Sequence, residues 1–205
     1  LYIPTEQMNT MKSRQVALKG KYGDKLPDIA TDAINMLDPD SVRQICMTIQ
    51  VGKYDLVIID TVGKCIPSGD VSNEDTARKI LTSAEFINNV GASVLLVHHT
   101  GHNELSRPKG STLWLDSTST VLSIKKSKSG KYNRNLHITK VKSMREGEKI
   151  PFKMEVVKVP ELTFWANFDN QGADELENVI LNTVLDQEID RNTLRHQIFE
   201  LFNLG

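Results

Sequence analysis

Two short, unbroken apolar runs constrain this chain more than any other feature: Leu56 to Ile59 and Val94 to Val97. Continuous rather than alternating hydrophobicity is the pattern of strands in a parallel sheet covered on both faces. Asp60-Thr61 follows the first run directly, and His98-His99-Thr100 follows the second. A third run, Leu1 to Pro4, ends in Thr5-Glu6. Helical patterns fill the gaps between them. Gln7 to Tyr22 is rich in Met, Lys, Gln, Leu and Ala, and Asp40 to Gln50 carries Val42, Ile45, Met47 and Ile49 behind the candidate caps Asp38, Asp40 and Ser41. In the third helix Ala77, Ile80, Leu81, Ala84 and Ile87 form one face, Ser72-Asn73-Glu74-Asp75 resembles a capping box, and Gly91 stands where a helix closes. Strands alternating with helices predict a doubly wound α/β domain with a mainly parallel sheet.

After residue 117 the pattern changes. Ser119 to Lys125 and Asn135 to Lys142 read as strands around a polar turn, and Phe152 to Val159 with Leu162 to Phe168 read as a second pair, an antiparallel β extension. Glu175 to Leu185 and Arg191 to Phe202 are helical stretches compatible with the start of a winged helix. The expected organisation is a core over residues 1–168 and a helical segment over 173–205. A chain of 205 residues suits one main domain with a small appendage.

Composition narrows the class. With 39% hydrophobic and 25% charged residues the chain resembles an ordinary globular protein. Two cysteines, Cys46 and Cys65, make no disulfide framework and lack metal-finger spacing. No apolar run approaches the roughly 20 residues that span a bilayer, and a cytoplasmic setting is expected. Net charge is only −1, yet residues 125–149 hold nine Lys or Arg against two Glu, while 173–190 is acidic. Local fields matter more than the total for binding a polyanion.

In doubly wound sheets ligands bind outside the carboxyl ends of the strands. Parallel strands here would bring Glu6, Asp60 and the His98-His99 pair to one edge. Asp60 behind four apolar residues has the shape of a Walker B acid, which holds nucleotide-bound Mg²⁺; an ordinary strand-terminal acid has the same shape. Glu6 is placed to deprotonate an attacking water. His98 and His99 point to opposite faces if the strand runs through them, so one of the two can look into the site and the other packs. His98, His99 and His102 with Asp60 are an alternative metal set, but no helical His-x-x-x-His spacing supports it.

The segments Tyr54 to Thr61, Val94 to Gly101 and Arg107-Pro108-Lys109-Gly110-Ser111 resemble the RecA-like ATPases of the RepA type, hexameric plasmid and phage replicative helicases related to DnaB. The likeness runs from Leu1 to about Lys142. It implies a RecA-like fold, ATP and Mg²⁺ as ligands, single-stranded DNA as partner, and a ring with ATP sites between subunits. It further implies Glu6 as catalytic base, Asp60 with Thr61 in the Walker B role, and His99 rather than His98 as γ-phosphate sensor. Residues 102–112, with Arg107, Lys109 and Ser111, match the channel loop that contacts DNA. Thr139 to Lys142 matches the hairpin that sends cationic fingers into a neighbour's site, with Lys140 and Lys142 where an arginine is common. No Gly-x-x-x-x-Gly-Lys-Ser/Thr occurs; Gly20-Lys21 and Gly52-Lys53 are only superficially similar. The phosphate loop is therefore expected upstream of Leu1, and these residues alone are expected to be inactive. Two other readings stand beside the helicase: a RecA-type recombination or repair ATPase, and a non-catalytic DNA-binding module for replication initiation.

Overall fold

A computed structural model describes residues 1–6, 8–23, 26–67, 69–101, 107–128, 133–141, 149–158 and 162–168. The expected helical segment 173–205 and Lys142 lie outside these residues, as does 102–106 of the expected DNA loop. The chain divides into two compact units, one of residues 1–9 and 27–118, the other of residues 10–26 and 119–205.

The first unit is built on a parallel sheet of β1 (Tyr2–Pro4), β2 (Leu56–Asp60) and β3 (Ser93–Val97), in that spatial order. Pro4 pairs with Asp60 and Asp60 with Val97, so all three strands end at the same level. Helix α1 (Met8–Tyr22) starts just after β1, and all but its first residues belong to the second unit. Helices α2 (Pro39–Gly52) and α3 (Glu74–Asn89) complete the first layer, and α4 (Leu113–Asp116) is a short turn of helix.

Both long helices start where sequence chemistry supplies an acceptor. The Asp38 carboxylate receives the backbone N–H groups of Asp40 and Ser41, with Pro39 at the first helical position. For α3 the cap is Asn73, which accepts from Thr76 N, one residue later than the expected Ser72 box. The amide oxygen of Asn73 reaches the third helical N–H as well as a serine would, and Ser72 belongs to the preceding turn instead, where its N–H donates to Asp70.

The core is one cluster. Ile3, Val57 and Ile59 project from one face of the sheet against Val42, Ile45 and Ile49 of α2 and Ala77, Ile80 and Ile87 of α3. Val57, Ile59, Ile80 and Ile87 are completely buried. The other face carries Tyr2, Ile58 and Leu95, partners in register, and is less covered than the apolar runs predict: Leu95 is 46% exposed. α2 and α3 both bury their apolar stripes on the first face, which leaves the second with partial cover among the described residues.

The second unit contains the antiparallel strands as a sheet of their own, β4 (Thr120–Lys126), β5 (Asn133–Val141), β6 (Lys149–Lys158) and β7 (Leu162–Phe168), ordered β4-β5-β6-β7. A register shift at Val121/Leu122 marks a bulge in β4, and Leu136, Ile138, Val141 and Ile150 are buried. Lys140 lies on β5 opposite Val121.

Ile59→Ala removes a side chain with no exposed surface from the centre of this cluster. Urea melts should show a loss of about 2–5 kcal/mol, whereas Val51→Ala, on an 86% exposed side chain, should change stability by less than about 0.5 kcal/mol.

Candidate functional site at the carboxyl edge of the parallel sheet

The segments that follow β1, β2 and β3 line a cavity of about 400 Å³, and neither Asp60 nor Thr61 is among its lining residues. Its lining includes Glu6, His98, His99 and Lys109, all anticipated from the sequence, together with Lys64, Asp70 and Val71 from the loop after β2. That loop opens with a 3-10 turn at Val62–Lys64, and the Asp60-Thr61 peptide bond is cis. Its residues carry no motif, which is why sequence reading passed over Lys64 and Asp70. Cys65 in the same loop is fully buried and gives its thiol proton to the Val62 carbonyl. Burial pushes this thiol up to about 12, which leaves it an inert thiol.

The two acids are held by hydroxyl groups. Tyr2 donates its phenol proton to Asp60 Oδ2 at 2.7 Å, and Thr61 donates Oγ1–H to Glu6 Oε1 at 3.0 Å. Between them, Thr5 Oγ1 accepts from Thr61 N at 2.7 Å and donates to the Thr61 carbonyl at 2.8 Å. Thr5 N also donates to the Asp60 carbonyl at 2.6 Å. The Asp60 and Glu6 oxygens opposite these bonds, Oδ1 and Oε2, make no hydrogen bond among the described residues.

Both histidines line the cavity just beyond the end of β3, and they differ in their contacts. His99 is 70% exposed, with Nε2 3.9 Å from Glu6 Oε1, an approach that becomes an ion pair only when the imidazole is protonated. His98 packs edge-on against Trp114, with centroids 5.0 Å apart and an interplanar angle of 62°. Its Nδ1 lies 2.9 Å from the His99 carbonyl, which can only accept, so Nδ1 carries the proton. His98 Nε2 is buried without a hydrogen-bond partner among the described residues. Burial holds this imidazole below its ordinary range; the bond to His99 O opposes that shift, and His99 and Lys109 reinforce it.

The residues expected to meet DNA are rooted on the same edge. Lys109 N donates to the His99 carbonyl at 2.8 Å, and Thr100 bridges Pro108 in antiparallel fashion. Gly110 at φ +101° lies so close to Val71 that a Cβ would meet its carbonyl oxygen at 2.3 Å. That oxygen also accepts from Trp114 Nε1 at 3.1 Å. Ser111 Oγ accepts from Leu113 N at the start of α4. Neither glycine-lysine pair forms a phosphate cradle: Gly20-Lys21 lies within α1, and Gly52-Lys53 ends α2 with Lys53 left-handed. A cradle needs such a loop before a helix, not after one.

A protein-family model described as an AAA domain matches residues 1–104. The chain belongs to the AAA domain family. Its members are P-loop ATPases, and the RecA-like α/β fold expected from the apolar runs is the fold observed. The crystal structure of a KaiC-like protein from the hyperthermophilic archaeon Pyrococcus horikoshii is similar over 80% of this chain and 75% of its own, at TM-score 0.52 and 14% identity. A comparison with curated proteins gives no match.

An AAA domain implies a nucleotide, usually carried with Mg²⁺. The donor set fits that use. No group of three or more His, Cys, Asp or Glu side chains forms a metal cage among the described residues. Mg²⁺ needs only one or two carboxylates when phosphate oxygens and waters supply the rest, and Asp60 presents one oxygen with no protein partner among the described residues. No described helix is long and apolar enough to cross a membrane.

His98 makes a specific pH prediction. Its folded value lies below the ordinary 6.5, so acid favours the unfolded chain, which binds the proton more readily. The stability tied to the neutral ring is fully present above pH 6.5 and is lost as pH falls toward the folded value. His98→Asn, which keeps a donor near Nδ1, should flatten the stability difference between pH 7.5 and 5.5 in paired urea melts. An unchanged difference would show that His98 does not carry it.

Proposed function

We propose that this chain forms the catalytic core of an ATP-driven DNA translocase of the replicative, ring-forming RepA type. The observation that carries the reading is the convergence of Glu6, Asp60 and His99 at the carboxyl ends of three adjacent parallel strands, with His99 Nε2 3.9 Å from Glu6. Glu6 takes the proton of the attacking water, since its Oε2 faces no donor among the described residues. Asp60 holds nucleotide-bound Mg²⁺ directly or through water, with Thr61 beside it. His99, the more exposed imidazole, meets the terminal phosphate, and neutral His98 braces the strand end from behind.

The route from hydrolysis to DNA is short. Lys109 N hangs on the carbonyl of His99 itself, so any shift of His99 on losing a phosphate contact is felt directly at Lys109. Arg107, Lys109 and Ser111 then engage DNA phosphates, a sequence-independent and salt-sensitive contact. Lys140 and Lys142 act on a neighbouring subunit's nucleotide across the ring, as compact point charges where arginine would offer a bidentate fork. Single-stranded DNA and further copies of the chain, in a hexamer, are the partners this reading requires.

In the intact gene product, Glu6→Gln should lower ATP hydrolysis by about 10²–10⁴-fold while leaving nucleotide binding in place. Lys109→Ala should weaken single-stranded DNA binding and make its salt dependence shallower. ATP turnover that ignores both Glu6→Gln and DNA would overturn the translocase reading. Binding of DNA without any nucleotide binding would favour a non-catalytic replication module.

A further inference from the structure

We propose that Tyr2 and Thr61 are positioning residues, each a hydroxyl from one strand that sets the carboxylate of the other. Tyr2, on the strand that leads to Glu6, orients Asp60 toward a nucleotide-borne cation. Thr61, directly after Asp60, orients Glu6 toward the attacking water. This rests on the ATPase reading above and adds to it the division of labour between two hydroxyls.

Register sets the first contact. Tyr2 pairs with Ile58, so its side chain shares a face with Asp60, two residues further along β2. A tyrosine is long enough to reach that diagonal neighbour, and its hydroxyl meets Asp60 Oδ2 at 2.7 Å. A phenol bonded to a carboxylate at this distance is a charge-assisted hydrogen bond, among the stronger kinds a protein makes. It fixes the rotation of the carboxyl group and commits Oδ2, which leaves Oδ1 as the Asp60 oxygen without a hydrogen bond among the described residues.

Thr61 is held from the opposite strand. The two-way bond with the Thr5 hydroxyl pins both the N–H and the carbonyl of Thr61, which is only 6% exposed. With its backbone fixed, Thr61 Oγ1 has a defined place from which to donate to Glu6 Oε1 at 3.0 Å. Glu6 is left with Oε2 to accept a proton. Among the described residues, each acid thus has one carboxylate oxygen hydrogen-bonded and one without a partner. Groups that orient a metal-binding side chain from outside typically change affinity or activity by about 10–100-fold.

The test uses the intact gene product, with binding of a fluorescent ATP analogue followed through a Mg²⁺ titration and turnover measured separately. Tyr2→Phe should raise the half-saturating Mg²⁺ concentration for nucleotide binding by about tenfold or more, with a smaller loss of turnover at saturating Mg²⁺. Thr61→Val should do the reverse, lowering turnover by about tenfold with the Mg²⁺ midpoint unmoved, and Thr61→Ser, which keeps the hydroxyl, should restore most of it. In an Asp60→Asn background, Tyr2→Phe should cause no further Mg²⁺ shift, a result that also serves if the single variant folds poorly. A Mg²⁺ midpoint unaffected by Tyr2→Phe, or a Thr61→Ser variant as impaired as Thr61→Val, would overturn the assignment while leaving the ATPase reading intact. A wild-type protein that binds no nucleotide at any Mg²⁺ concentration would remove both.

Discussion

The whole edge hangs on the pairing of β1 with β2. Three residues of β1 are a short strand, and the bonds that continue past its end do as much as the ladder itself. Thr5 N reaches the Asp60 carbonyl, and the Thr5 hydroxyl closes on both backbone groups of Thr61. These contacts carry the alignment of the strands beyond the sheet, to the residues where the acids stand. Without them Glu6 would sit on a loop end with no fixed relation to Asp60. The buried isoleucines behind the edge, Ile3 and Ile59, are partners in the same register and anchor it from the core side.

A second set of contacts ties this edge to the segment that follows β3. The His99 carbonyl receives both His98 Nδ1 and Lys109 N, and His98 rests on Trp114. Trp114 in turn donates to Val71 O, the atom against which Gly110 is packed. Residues 61–67 and 69–73, the strand end and the 107–116 segment are thereby linked around the cavity. The left-handed φ at Gly110 and the lack of room for a Cβ there make this a position that glycine alone fills without rearrangement.

Much of this was legible in the sequence because it depends on short-range patterns. Continuous apolar runs gave the parallel strands, and the residues directly after them gave Glu6, Asp60 and the histidines. Alternation along a strand admits one histidine to the site, whereas both line the cavity beyond the end of β3. What escaped reading depends on register, which no local pattern encodes: that Tyr2 lies diagonal to Asp60, and that Thr5 and Thr61 bond to each other. Within the run Leu1 to Pro4, Tyr2 looks like one more apolar strand residue, and only the register gives its hydroxyl a partner across the sheet. Lys64 and Asp70 reach the cavity through a loop whose path is set by tertiary packing. The unequal cover of the two sheet faces was likewise hidden, since an apolar run looks the same whether one or both faces are packed.

The most direct test of the central claim is a crystal structure of the intact gene product with Mg²⁺ and a non-hydrolysable ATP analogue. The account predicts the terminal phosphate at the carboxyl edge of the parallel sheet, with the cation or one of its waters on Asp60 Oδ1. A water should lie within about 3 Å of Glu6, with His99 turned toward the phosphate. A nucleotide bound away from this edge, or a cation that bypasses Asp60, would contradict it.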